Sequence, residues 1–129
     1  MSPAKFSRVF HRWASLVVAL PVLVVILTGF LLLLKKDVAW IQPPTQRGSS
    51  EKLTLSFDRI LAIARTVPEA EIKDWADVDR LDVRPARKML KVRANNRWEI
   101  QLDAGSGEIL QVAYRRSDLI ESLHDGSFF

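Results

Sequence analysis

The chain has two histidines, His11 and His124, and no cysteine. Imidazole chemistry is therefore confined to two positions, one near each end. The lack of cysteine excludes disulfides, Cys-ligated zinc, iron–sulfur clusters and thiol nucleophiles. Ser122, His124 and Asp125 have the residue types of a hydrolytic triad. They are adjacent in sequence, however, and neither a nucleophile elbow nor an oxyanion site accompanies them. A non-enzymatic protein is expected, with no catalytic residue. Asp74, Asp77, Asp79 and Asp82 form an acidic stretch without the Gly turn and terminal Glu of a calcium loop. A solvated strand face beside Arg80 and Arg84 is expected there, and no metal. Arg84, Arg87, Lys88, Lys91, Arg93 and Arg97 read first as a solvated basic rim that discourages edge pairing, with contact to lipid headgroups or an acidic partner as the alternative. Bases alternate with acids and no binding-fold motif appears, so nucleic acid is not an expected partner.

The elements that position these residues begin with an apolar run. Ala14 to Leu34 contains 21 residues without a charge. As a helix it spans roughly 31 Å, about the hydrocarbon thickness of a bilayer. A helix also satisfies every backbone group there. A cleaved signal peptide is disfavoured, because the apolar stretch is long and no small-x-small site follows. Lys5, Arg8 and Arg12 before the span balance Lys35, Lys36 and Arg47 after it, so local charge does not orient it. A short basic N-terminus favours staying in the cytoplasm, with the following domain outside.

Residues 1–13 form an amphipathic lead-in, with Phe6, Val9, Phe10 and Trp13 at helical spacing. Arg12, Trp13, Lys35, Lys36 and Trp40 are the expected membrane-interface residues. Ser15 and Ala19 are a small-xxx-small pair, and with Gly29 they mark a face on which another membrane helix can pack. Lipid and other integral membrane proteins are thus the expected partners. Residues 35–52 carry Pro43, Pro44 and Gly48 and read as a linker.

Residues 53–114 read as one small domain. Ser56 can cap a helix whose apolar face is Phe57, Ile60, Leu61, Ala64 and Val67, ended by Pro68. Strands follow with period-two alternation: Leu81 and Val83; Leu90, Val92 and Ala94; Trp98, Ile100 and Leu102; Leu110, Val112 and Tyr114. Pairing Val92 with Ile100 sets Arg93 opposite Glu99 and leaves Asn95, Asn96 and Arg97 as a loop, with Asn in the left-handed position. Pairing Ile100 with Val112 and Leu102 with Leu110 leaves a Gly105-Ser106-Gly107 turn and sets Trp98 opposite Tyr114. Residues 115–129 read as a short amphipathic helix capped by Ser117 and broken at Asp125-Gly126, with a tail. The fold class is α+β: one transmembrane helix, a helix packed on an antiparallel sheet, and a short C-terminal helix.

Three segments in this order form a recognisable pattern. They are His11-Arg12-Trp13 running into the apolar helix, Leu102 to Leu110, and Leu123 to Gly126. The chain resembles the PepSY-associated transmembrane proteins of bacteria. Leu102 to Leu110 is similar to the x-V-D-x-x-T-G-E-V-L turn of PepSY domains, with Ser106 where threonine is usual. The resemblance implies an inner-membrane protein with a cytoplasmic N-terminus and a periplasmic PepSY unit. It also implies a further membrane helix after the LH-x-G segment, about where this sequence stops.

By the same resemblance, haem is the cofactor to weigh, since larger relatives are thought to pass electrons to iron–siderophore complexes through membrane-edge histidines. Imidazole suits haem iron. Yet His11 precedes the span and His124 follows the domain, with about 30 Å of hydrocarbon between the two edges. They cannot share one iron within one chain. Interface roles are preferred, with His124 capping the carbonyls at the end of its own helix. The leading expectation is an accessory or interaction subunit without a cofactor. The alternatives are a haem-bearing redox subunit of iron–siderophore uptake and a peptidase-inhibitory module.

Overall fold

The computed structural model describes residues 1–129. Its elements are α1 (Pro3–Leu33), α2 (Phe57–Ala64), β1 (Val78–Arg84), β2 (Met89–Ala94), β3 (Trp98–Asp103), β4 (Ile109–Tyr114) and α3 (Arg116–Asp125). The fold class is the expected α+β.

The lead-in and the apolar run form one helix of 31 residues. Pro3 sits in the first turn, where a missing N–H costs nothing, and the Ser2 hydroxyl accepts from the Lys5 amide. The helix continues through Pro21. Of its most apolar stretch only 6 % is buried, so α1 is not the core helix of a soluble domain. It is one N-terminal helix long and apolar enough to span a membrane.

β1 to β4 form an antiparallel meander in sequence order. Val92 pairs with Ile100, Arg93 with Glu99, Ile100 with Val112 and Trp98 with Tyr114, as the alternation predicts. The Trp98 and Tyr114 rings meet edge to face at 5.9 Å. Two details differ from expectation. Leu102 pairs with Ile109 rather than Leu110, because a bulge intervenes. In the β2–β3 loop it is Arg97, at φ 70°, that takes the left-handed position. Asn95 and Asn96 instead spend their side-chain amides on the Ala76 and Glu69 carbonyls.

Under α2, the apolar face of the sheet closes a core of Ile60, Leu61, Ala64, Val67, Leu90, Val92, Ile100 and Leu102 with their neighbours. Ser56 caps α2 as expected, accepting from the Arg59 amide at 3.2 Å. The helix ends at Ala64, and Phe57 is exposed, its ring against Trp75. Val83, on the edge strand β1, is exposed too. The acidic stretch is only partly a strand. Asp74 and Asp77 form the capping box of a 3-10 turn at Trp75–Asp77, and Asp82 pairs with Arg84 at 2.9 Å.

The largest departure lies on the opposite face of the sheet. The segment read as a linker crosses it, with Ile41, Pro43 and Gly48 buried. The Gln46 amide donates to Gln101 Oε1 at 2.7 Å, and Gln101 donates to the Pro44 carbonyl at 2.9 Å. Lys91, which sequence places on a solvated rim, is 1 % exposed as a result.

Candidate functional site

Two constellations lie where the domain meets the end of α1. The first is the seam between α1 and α3. α3 starts after Arg115, not after Ser117, whose hydroxyl is buried inside the helix without a partner. The Ser117 amide donates to the Ile41 carbonyl at 2.7 Å, and the Arg116 guanidinium stacks on Trp40, 4.5 Å from the ring centroid. These contacts turn the chain back toward α1. Gly126, at φ 82°, ends the helix at the expected place.

α3 then descends along α1. Lys35 Nζ meets Glu121 Oε1 at 2.9 Å. One turn further, His124 Nδ1 lies 3.0 Å from the Val25 carbonyl and 3.2 Å from Thr28 Oγ1. Val25 lies nine residues before Leu34, about 13 Å back along the helix. His124 therefore caps no carbonyl of its own helix. It is placed against the middle of the apolar run, level with residues that sequence assigns to the membrane.

The pairing decides the tautomer. A carbonyl only accepts, so Nδ1 carries the hydrogen. Thr28 Oγ1 donates to the Val24 carbonyl at 2.6 Å, which leaves it free to accept as well. In the neutral ring, Nε2 then holds the lone pair and has no hydrogen-bond partner. Gly29 makes the approach possible, since a Cβ there would stand 3.0 Å from His124 Cε1. Gly29 is thus a packing residue, and the helix it admits is this chain's own α3. Below His124, a groove of about 450 Å³ lies between Leu20, Pro21 and Val24 on one side and Leu123 and Phe129 on the other.

The other expected residues are not brought together. His11 is exposed on α1, 14 residues before Val25, about 21 Å along the axis. Arg12, Trp13, Ser15 and Ala19 are exposed. Lys36 and Trp40 are exposed near the end of the span, and Lys35 is partly covered by its pairing with Glu121.

The second constellation is the charged layer on the covered face of the sheet. Glu99 is fully buried and faces three cations: Arg115 at 2.8 Å, Arg93 at 3.6 Å and Lys91 at 3.9 Å. Gln101 Nε2 donates to it at 3.0 Å. Lys91 Nζ also donates to Thr45 Oγ1 at 2.8 Å. Burial pushes the Lys91 ammonium below its ordinary range, against the opposing pull of Glu99. Arg115 reaches on to Asp118 at 3.3 Å, joining the sheet to the first turn of α3.

Asp103 pins the linker to the β3–β4 turn. One carboxylate oxygen accepts from the Ser49 and Ser50 amides at 2.6 and 3.0 Å, the other from the Gly105 and Ser106 amides at 2.9 and 3.0 Å. Burial pushes this carboxyl up, but the hydrogen bonds from Ser50, Ser106 and Gly105 outweigh it and hold it well below the carboxylate range.

Sequence reasoning singled out His124 and Gly29 but missed Thr28, Glu99 and Arg115. The hint for Thr28 is a hydroxyl residue in an apolar run. For Glu99 it is Met89, an apolar residue on the face that alternation marks as polar.

No curated protein and no solved structure matches the chain. The model of a family described as PepSY-associated TM region matches residues 8–128, from the lead-in through both constellations to the tail. By that match, which takes in nearly its whole length, the chain belongs to the PepSY-associated TM region family.

Proposed function

We propose that this protein is a non-enzymatic accessory subunit of a bacterial inner-membrane complex, with its N-terminus in the cytoplasm and its PepSY-like domain in the periplasm. One observation carries the reading. α1 is wrapped by the chain's own residues only where α3 lies on its C-terminal half, and the face with Ser15 and Ala19 is bare. Small residues on an otherwise bulky apolar helix let a second helix come close. The domain is tied to the far end of the same helix, so a partner gripping α1 would position the domain as well.

The test is co-migration of the protein with a larger complex extracted in mild detergent from its native membrane. Ala19→Leu fills the proposed contact and should release the subunit, while Leu16→Ala should not. A wild-type protein that migrates alone would end the accessory-subunit reading.

A second reading, a haem-bearing redox subunit, is favoured by His124. An imidazole that gives Nδ1–H to a carbonyl and keeps a lone pair on Nε2 is prepared to ligate iron. Bound haem would supply one-electron transfer. Any further protein ligand would have to come from another helix, because His11 is too far away. A Soret band in the purified protein, lost in His124→Ala, would support this reading. An apo spectrum from haem-replete cells would exclude it.

A further inference from the structure

Of the expected basic rim, Lys91 and Arg93 are covered while Arg84 and Arg87 stay exposed, and these cations gather with Lys35 and Lys36 at the end of α1. Between that helix end, the Gln42–Thr45 segment and the β1–β2 edge lies a cleft of about 540 Å³ without a single carboxylate in its wall. Six cations line it: Lys35, Lys36, Arg84, Arg87, Lys91 and Arg93. Four are engaged by acids outside the cleft: Lys35 by Glu121, Arg84 by Asp82, and Lys91 and Arg93 by the buried Glu99. Lys36 and Arg87 make no ion pair, although Arg87 donates to the Thr45 carbonyl at 3.2 Å. Arg93 Nε is buried 3.6 Å from Glu99 Oε2, with no hydrogen bond closer than that pairing. Asp79, Asp118 and Glu121 line an adjoining recess, which shares Lys35, Lys36 and Arg93 with the cleft.

Like charges gathered around a concavity repel, and the gathering is favourable when an anion occupies it. The place suggests which anion. Lys35 and Lys36 directly follow Leu34, the last residue of the apolar run, so the cleft opens at the level where a bilayer puts its headgroups.

We propose that this cleft binds the phosphate of an anionic membrane phospholipid, with Lys36 and Arg87, the two cations there without an ion pair, as its principal donors. The polar walls leave the acyl chains outside, against the apolar surface of α1. The lipid would then join the span to the domain at a second place besides the α1–α3 seam. This does not depend on which helix packs on Ser15 and Ala19.

Native mass spectrometry of the full chain, released from micelles doped with equal phosphatidylglycerol and phosphatidylcholine, reads the bound lipid directly. Wild type should retain phosphatidylglycerol in preference. The double variant Lys36→Gln/Arg87→Gln should lose that preference by about fivefold or more. Both residues are exposed, so the variant should unfold at the wild-type temperature. Lys52→Gln/Arg59→Gln removes the same charge away from the cleft and should keep the preference. Equal retention of the two lipids by wild type, or equal loss in both double variants, would overturn the proposal. Glycerol phosphate binding in undoped micelles, with the same sensitivity to Lys36→Gln/Arg87→Gln, would assign the cleft to a soluble phosphate and overturn the lipid.

Discussion

The two faces of the sheet are built by different physics. One carries Leu90, Val92, Ile100 and Leu102 beneath α2, and its burial follows from alternation alone. The other carries Lys91, Glu99, Gln101 and Asp103, which alternation assigns to water, yet each is at most 1 % exposed. The first face is stabilised by apolar area, which is non-directional and tolerant. The second holds charges that have lost their hydration and depend on one another, so its cost of disruption is high although its net contribution to stability is modest. The apolar face makes the domain fold. The charged face joins the domain to α3 and, through Ile41 and Trp40, to the end of α1.

That contrast can be broken most severely at Glu99. Glu99→Ala leaves Lys91, Arg93 and Arg115 facing one another and should destabilise the domain by about 3–5 kcal/mol in denaturant unfolding in micelles. Lys91→Met on the same face should cost less than about 1 kcal/mol, because burial already disfavours its charge and Glu99 keeps Arg115. If the two variants cost the same, the asymmetry claimed for this layer is wrong. On the apolar face, Ile100→Ala should cost about 3 kcal/mol, since Ile100 is fully buried and its removal leaves a cavity.

Asp103 sharpens the contrast through pH. Its folded carboxyl is held down, so the stability it contributes is complete above the unfolded value of about 3.9 and is lost as pH falls below that. Asp103→Asn should cost about 2 kcal/mol at neutral pH and flatten the acid limb of the stability profile. An acid limb as steep as wild type would mean that Asp103 does not hold the turn.

How much was legible in sequence follows the same division. The helix α1, the pairings of Val92 with Ile100 and of Trp98 with Tyr114, and the Ser56 cap are written in local pattern. The cover of the second face is not. A proline-bearing stretch such as Gln42 to Thr45 has the composition of a linker whether it floats or packs, and its partners Lys91 and Gln101 lie more than forty residues away. Tertiary context thus overrode the rule that the polar side of an alternating strand faces water. At the seam, the residue types were visible but the return of α3 was not. His124 stands in the last turn of its helix as expected, but it bonds to Val25 and Thr28 beside the apolar run rather than capping α3. Gly29, expected on a face for another membrane helix, is approached here by His124 of this chain's own α3.

α3 lies along the apolar part of α1, so that domain and helix form one body, and the proposed spanning of a bilayer by α1 would put His124 at hydrocarbon depth. The absence of native cysteine makes this directly measurable. Single cysteines at Val25, Leu123 and Asn95 would be spin-labelled in the full chain in liposomes, and their collisions with oxygen and with a water-soluble nickel chelate compared. The label at Leu123 should behave like that at Val25, oxygen-accessible and shielded from the chelate. A Leu123 label as open to the chelate as that at Asn95 would put α3 in water and contradict the account.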